Sequence, residues 1–184
     1  MKTELKLGNA LKTLMATQSL DTITVKKISE MCKVNRQTFY YHFRNIYDLL
    51  TWIYLNEAVE NMDRVTNWEE ALAFIFRYVN DNAAFITNTL SSAGRELFIE
   101  FLYNTTYTMQ LQVLNKLDVD NVLSSANKKF ISQFYAPSFV YIVVRWADGG
   151  RKEDTSVLIK QVSILADTYL SDAICKFKNA RGRK

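Results

Sequence analysis

Between Asn35 and Phe43 the chain reads Asn-Arg-Gln-Thr-Phe-Tyr-Tyr-His-Phe, a run suited to recognition by hydrogen bonding. As a helix at about 100° per residue, it puts Phe39 and Phe43 on one face. Gln37, Tyr40, Tyr41 and Arg44 fall mainly on the opposite side, with Arg36 and His42 on the flanks. Asn35 is a good N-cap, and the first turn would offer free N–H groups to an anion. A short helix seated by two Phe rings and decorated outward with groups that bond base edges and phosphates is what a DNA recognition helix requires.

Other chemistry finds no support. His42 is the only histidine, and at helical spacing it meets Asn45 and Arg44 rather than a carboxylate or a nucleophile. Zinc binding fails for want of further ligands. No glycine-rich phosphate loop, serine nucleophile elbow or paired-carboxylate motif is present. The sequence therefore implies no enzyme, no metal and no cofactor.

The elements that would hold the recognition helix can be read around it. Thr24 can cap a helix carrying Val25, Ile28, Met31 and Cys32, and Lys33-Val34-Asn35 is a three-residue turn into the next helix. That is a helix-turn-helix. Before it, Leu7, Leu11 and Leu14 with Ala10 form an apolar stripe on a helix over about Thr3 to Thr17, which packs over the motif. Lys2, Lys6 and Lys12 lie on its polar side, with Lys12 read as a solvated side chain.

The segments ITVKKIS (23–29) and TFYYHF (38–43) resemble the N-terminal domain of TetR-family transcriptional regulators, closely over residues 1 to about 55. The resemblance implies an all-α protein of about nine helices, three for DNA in residues 1–46 and a helical ligand-binding and dimerisation body in 47–184. It implies double-stranded DNA as partner. Thr24, Asn35, Thr38, Tyr40, His42 and Arg44 would mostly contact phosphate. Gln37 can pair with adenine, Arg36 with guanine, and Tyr41 can pack on a thymine methyl or a sugar. One departure stands out: Ile46 occupies the place where the family often has a phosphate-contacting Lys, and Arg44 can supply the charge instead. NIYDLL (45–50) further resembles a subgroup that includes activators of dihydroxyacetone kinase operons.

In the fourth helix Asn45 and Asp48 form a capping-box variant, and the pattern continues to about Asp63. Helical spacing follows over Trp68 to about Asn82, with breaks at Asp81-Asn82 and Asn88-Thr89 around Phe85 and Ile86. A long helix capped by Ser91 or Ser92 runs to about Leu117. A loop over 118–125 has a Val119–Val122 contact. Ala126 to Asp148 is helical again, with a kink or break near Ala136 imposed by Pro137, and Gly149-Gly150 stops it. A final helix starts near Asp154 and dissolves into the basic tail Lys176–Lys184.

Within the body, Tyr103, Asn104, Thr105 and Tyr107 are unusually polar and aromatic for mid-helix, consistent with a ligand pocket or with a solvated face. Tyr141, Val144, Leu158, Val162 and Leu165 on the last two long helices are candidates for a homodimer interface or for core. A single head reads few base pairs, so a two-fold dimer on a near-palindromic operator is the geometric expectation. The signal to the body is a small-molecule effector or a co-regulator protein. The competing reading is a protein-interaction adaptor of this fold with weak or no DNA binding.

Charge is distributed to match. Residues 1–50 hold eight Lys and Arg against four Asp and Glu; residues 51–175 hold ten against fifteen; the last nine hold five basic and no acidic groups. A basic head on an acidic body suits a polyanionic partner. The two cysteines, Cys32 and Cys175, form no metal or redox motif and fit a reducing cytoplasm. No secretory signal opens the chain, and the apolar stretch Phe139–Val144 is too short to span a membrane.

Overall fold

The computed structural model describes residues 2–62 and 67–181. Among them are nine α-helices, one 3₁₀ turn and no strand, so the all-α expectation holds. The helices are α1 (Thr3–Met15), α2 (Val25–Cys32), α3 (Arg36–His42), α4 (Ile46–Met62), α5 (Trp68–Asp81), α6 (Ala83–Leu90), α7 (Arg95–Leu117), α8 (Ser125–Asp148) and α9 (Thr155–Arg181). Expected ends at Asp63 and within 182–184 lie outside the described residues. Packing divides the chain into two units: the described residues of 1–63 with 79–101, and those of 64–78 with 102–184.

In the first unit Leu7, Leu11 and Met15 of α1 are fully buried, as are Ile28 of α2 and Phe39 of α3. Leu7, Leu11, Ile28 and Phe39 are positions that the apolar spacings assign to the interior; Met15 is buried in place of the expected Leu14, which is half-buried, and Met31 of the α2 spacing is exposed. Lys12 departs from its solvated reading and pairs with Glu57 of α4. Helix α4 adds Leu49, Leu50, Ile53 and Tyr54 to the same core. The Tyr54 hydroxyl donates to Thr89 Oγ1 (3.0 Å), which itself donates to the Phe85 carbonyl (3.0 Å). Burial pushes the Tyr54 phenol well above its ordinary range.

Thr89 explains why α6 does not end at Asn88-Thr89. Both polar side chains find partners, Thr89 as above and Asn88 by donating to the Met15 carbonyl. Buried polar groups that are bonded no longer favour a break. The chain turns instead at 91–94. There a Cβ on Gly94 would stand 2.9 Å from both Leu20 and Leu50, so glycine is needed for the close approach.

In the second unit Trp68 stacks on Phe139 (4.9 Å, 11°), and Phe76 meets Trp146 edge to face (4.9 Å, 90°). Helix α8 passes through Pro137 without the expected break. Pro137 lies on the exposed face, where water can take the carbonyl that proline leaves unbonded. After Gly149 the backbone turns through left-handed Gly150 (φ +81°) and Arg151 (φ +59°), and Trp146 Nε1 donates to the Glu153 carbonyl across the turn (3.1 Å). Helix α9 keeps its form to Arg181, well into the basic tail.

Asp118, rather than a Val119–Val122 contact, organises the loop before α8; Val119 is exposed. The buried Asp118 carboxylate accepts from the Val122 and Leu123 N–H groups (2.7 and 3.0 Å) and pairs with Lys128 Nζ (3.0 Å). Burial pushes its acidity down in strength, but Lys128 and the two N–H donors outweigh that, and the carboxyl sits below its ordinary range. A depressed carboxyl contributes stability above the unfolded carboxylate range and loses it as pH falls through the folded one. Asp118→Asn should therefore cost about 3 kcal/mol at pH 7, the scale for leaving one charge of a buried pair alone. The gap between variant and wild type in denaturant melts should close on acidification; a gap independent of pH would show that the carboxylate charge is not what matters.

Candidate nucleic-acid interface

The turn between α2 and α3 is built from two caps and one strained residue. Thr24 Oγ1 accepts from Lys27 N–H (3.3 Å) at the start of α2. Its end is Lys33 in the left-handed region (φ +56°), with the Lys33 and Val34 N–H groups bonding the Glu30 and Ser29 carbonyls (3.1 and 3.0 Å). A left-handed non-glycine residue is uncommon, and here the helix carbonyls it satisfies hold it in place. Asn35 then caps α3, its Oδ1 accepting from Gln37 N–H (3.1 Å).

Helix α3 has only seven residues, too few to stand without tertiary support. Phe39 is completely buried and Phe43 nearly so; their rings are 6.0 Å apart, and Phe43 meets Trp52 of α4 edge to face at 5.8 Å. With that face occupied, the other face is open. Tyr41 is 85% exposed and Tyr40 57% exposed; Arg36, Gln37, Arg44, Asn35 and Thr24 are exposed, and Thr38 and His42 are half-buried. All nine residues assigned to DNA from the sequence therefore retain accessible surface around one short motif.

Two further residues belong with them, and the sequence reading missed both. Glu4, in the first turn of α1, holds its Oε1 3.1 Å from His42 Nδ1; a contact across 38 positions leaves no spacing signal. Tyr47, at the start of α4, is exposed and joins Tyr40, Arg44, Ile46, Ile23 and Val25 around a crevice of about 260 Å³. An aromatic residue beside a helix N-cap was the available sign. The N-cap itself is a reciprocal box: Asp48 N–H donates to Asn45 Oδ1 (2.9 Å) while Arg44 N–H donates to Asp48 Oδ2 (3.0 Å). That backbone bond to Arg44 is the main reason the Asp48 carboxyl sits below its ordinary range. The Arg44 guanidinium, 88% exposed, lies 3.6 Å from Asp48 Oδ1, and exposed pairs of this kind are weak. Arg44 can turn to another anion at little cost.

In the second unit the sequence candidates separate. Tyr103 and Tyr107 stack along α7 (6.1 Å, 17°), half-buried with Thr105, while Asn104 is exposed. None of the four lines the groove between α8 and α9. That groove, about 340 Å³, is lined by Phe139, Ile142, Val162, Leu165, Tyr169 and neighbours. Of the interface candidates, Tyr141 and Leu165 are exposed, Leu158 is half-buried, and Val144 and Val162 are core. Tyr135 stacks closely on Tyr169 at its end (3.7 Å, 11°), and Gln110 Nε2 donates to the Tyr169 hydroxyl (3.3 Å). Among the described residues no helix is long and apolar enough to cross a membrane.

Comparison with known proteins gives a consistent picture. Residues 9–51 match the family described as bacterial regulatory proteins, tetR family, and residues 66–168 match the transcriptional regulator C-terminal region. Over 82 residues, 43% of this chain, the sequence is 33% identical to the HTH-type dhaKLM operon transcriptional activator DhaS of Lactococcus lactis subsp. lactis (strain IL1403); the aligned part spans 44% of that relative. The fold is similar to that of a solved dihydroxyacetone kinase operon activator DhaS (TM-score 0.68, 24% identity, 92% of this chain and 96% of that one). It is also similar to the fatty acid degradation regulator FadR from Bacillus halodurans (TM-score 0.60, 17% identity, 90% and 95%). With both its N-terminal and C-terminal regions matched, the chain belongs to the TetR family of bacterial transcriptional regulators.

Proposed function

We propose that the open face of α3 enters the major groove of duplex DNA and reads an operator sequence in the cytoplasm. The observation that carries this reading is the division of α3, with Phe39 and Phe43 buried and Tyr40 and Tyr41 left in solvent. Exposed tyrosines flanked by Arg36 and Gln37 make an unfavourable bare surface and a favourable groove-binding one. Gln37 bonds an adenine edge, Arg36 a guanine edge, and Tyr41 a thymine methyl or a sugar. Thr24, Asn35, Thr38, Tyr40, His42 and Arg44 hold the phosphates on either side.

A second reading, an adaptor that does not bind DNA, draws support from Ile46 and the partly apolar crevice beside it. Salt-dependent duplex binding separates the two, because only phosphate contacts release counterions. Gln37→Ala and Tyr41→Ala should each weaken binding to the selected site by about 1–3 kcal/mol. Their exposure leaves folding untouched. Isotherms unchanged in both variants would remove these residues from the readout.

Operator binding is proposed to need a homodimer formed through α8 and α9. Phe134, Tyr141, Ile164 and Leu165 project from these two helices, each more than half exposed, beside the groove that Phe139, Ile142 and Val162 line. A patch with both projections and a hollow can pair with itself about a two-fold axis. The body then responds to a small molecule near Tyr103, Asn104, Thr105 and Tyr107, or to a co-regulator protein. The likeness to a dhaKLM operon transcriptional activator supports an operon as the target of such control here. Leu165→Arg should convert the dimer to monomer in sedimentation while helicity is retained, since Leu165 is exposed in one protomer and a charge there is costly only when covered. A wild type that sediments as a monomer at micromolar concentration would contradict the dimer.

A further inference from the structure

We propose that the Tyr47 hydroxyl, beside that of Tyr40, bonds one phosphate of the bound duplex, and that the crevice between them seats the adjoining sugar. The proposal rests on the reading that α3 binds DNA, and adds to it a backbone contact made without charge. Tyr47 stands in the first turn of α4 and is 41% exposed. It shares the crevice of about 260 Å³ with Tyr40 of α3 and with Arg44 just beyond that helix.

Local chemistry holds both tyrosines in place. Asn45 and Asp48 close the box at the start of α4, which fixes the turn that carries Tyr47. The Tyr40 ring stands edge-on to the buried Phe39 (5.6 Å, 82°). Neither phenol hydroxyl has a hydrogen-bond partner among the described residues. A phosphate oxygen only accepts, and a phenol can donate to it.

The lining of the crevice suits a piece of nucleic-acid backbone. Leu20 and Ile23 are buried and, with Val25, form an apolar wall beside the two phenols. A deoxyribose has an apolar ring face joined to phosphate oxygens, so wall and donors match its two parts. The hollow is smaller than the sites of about 300–1,000 Å³ that enclose drug-sized ligands, a scale that suits one sugar–phosphate unit. Because Tyr40 and Arg44 flank the open face of α3, a duplex that receives α3 carries its backbone past this crevice.

Net charge does not supply the attraction. Among the lining residues Arg44 is positive and Asp21 negative, and Ile46 adds no charge. The Arg44 guanidinium also lies 3.6 Å from Asp48 Oδ1. Uncharged donors are what remains to bond a phosphate here. Each cationic contact releases counterions and steepens the fall of affinity with salt by about 0.9 in logarithmic slope. A phenol contact raises affinity and leaves that slope alone.

The test uses the full chain and a mixed-sequence duplex of about 30 base pairs over a salt series, since a phosphate contact is independent of sequence. Tyr47→Phe should weaken binding about two- to tenfold at every salt concentration, the scale of one hydrogen bond, with the slope unchanged. Fluorine NMR of wild type labelled with 3-fluorotyrosine gives a readout on the unaltered side chain. The Tyr47 signal, identified by its loss in Tyr47→Phe, should move when duplex is added. Equal affinity of Tyr47→Phe and wild type, a changed salt slope, or a Tyr47 signal that duplex leaves in place would overturn the proposal while leaving DNA binding intact. A wild type that binds no duplex at any salt concentration would instead overturn the DNA reading, and this proposal with it.

Discussion

The structure around the recognition motif depends on the burial of Phe39 and Phe43. A helix of seven residues forms one hydrogen bond for each residue it fixes only after an unfavourable nucleus, so α3 exists because its two rings are inserted beneath it. Phe43 reaches Trp52 of α4, and Trp52 in turn lies against Gly8 of α1, where a Cβ would stand 3.2 Å from its ring. Helices α1, α3 and α4 therefore converge on one cluster of aromatic and small residues. Burying both Phe rings contributes about 3–6 kcal/mol by area, far above what the caps at Thr24 and Asn35 supply at about 1 kcal/mol each. The caps set where the helices begin; the rings decide that α3 is there at all.

That arrangement also decides which chemistry is open to the helix. Once its inward face is committed, Arg36, Gln37, Tyr40 and Tyr41 are left exposed, with Thr38 and His42 half-buried. The exposed side carries uncharged and cationic donors, with the acidic partners Glu4 and Asp48 drawn aside to His42 and Arg44. The second unit exposes charged side chains too, among them Lys129, Arg145, Lys160 and Asp167, but on α8 and α9 Phe134, Tyr141, Ile164 and Leu165 stand among them, each more than half exposed.

Much of this was legible in the sequence because local patterns and tertiary packing agree for the head. The spacing of Phe39 and Phe43, the caps at Thr24 and Asn35, and the Asn45–Asp48 box each specify their own geometry. Failures came where a distant partner overrides a local preference. Thr89 and Asn88 look like a break until Tyr54, Phe85 and Met15 bond them. Pro137 looks like a break until the helix is seen to run through it. Lys12 looks solvated until Glu57 meets it, and Glu4 has no visible link to His42 at all. Among the interface candidates, helical spacing could not separate Val144 and Val162, which are core, from Tyr141 and Leu165, because adjacent stripes on a long helix differ only by which neighbour covers them.

The central claim is that α3 reads base sequence, two copies at a time. Selecting duplexes from a random-sequence library with the purified full chain tests it most directly. The recovered pool should share an inverted repeat whose half-sites lie about one helical turn, or a multiple of it, apart. A pool with no common motif, recovered at the same yield as unselected duplex, would contradict the account.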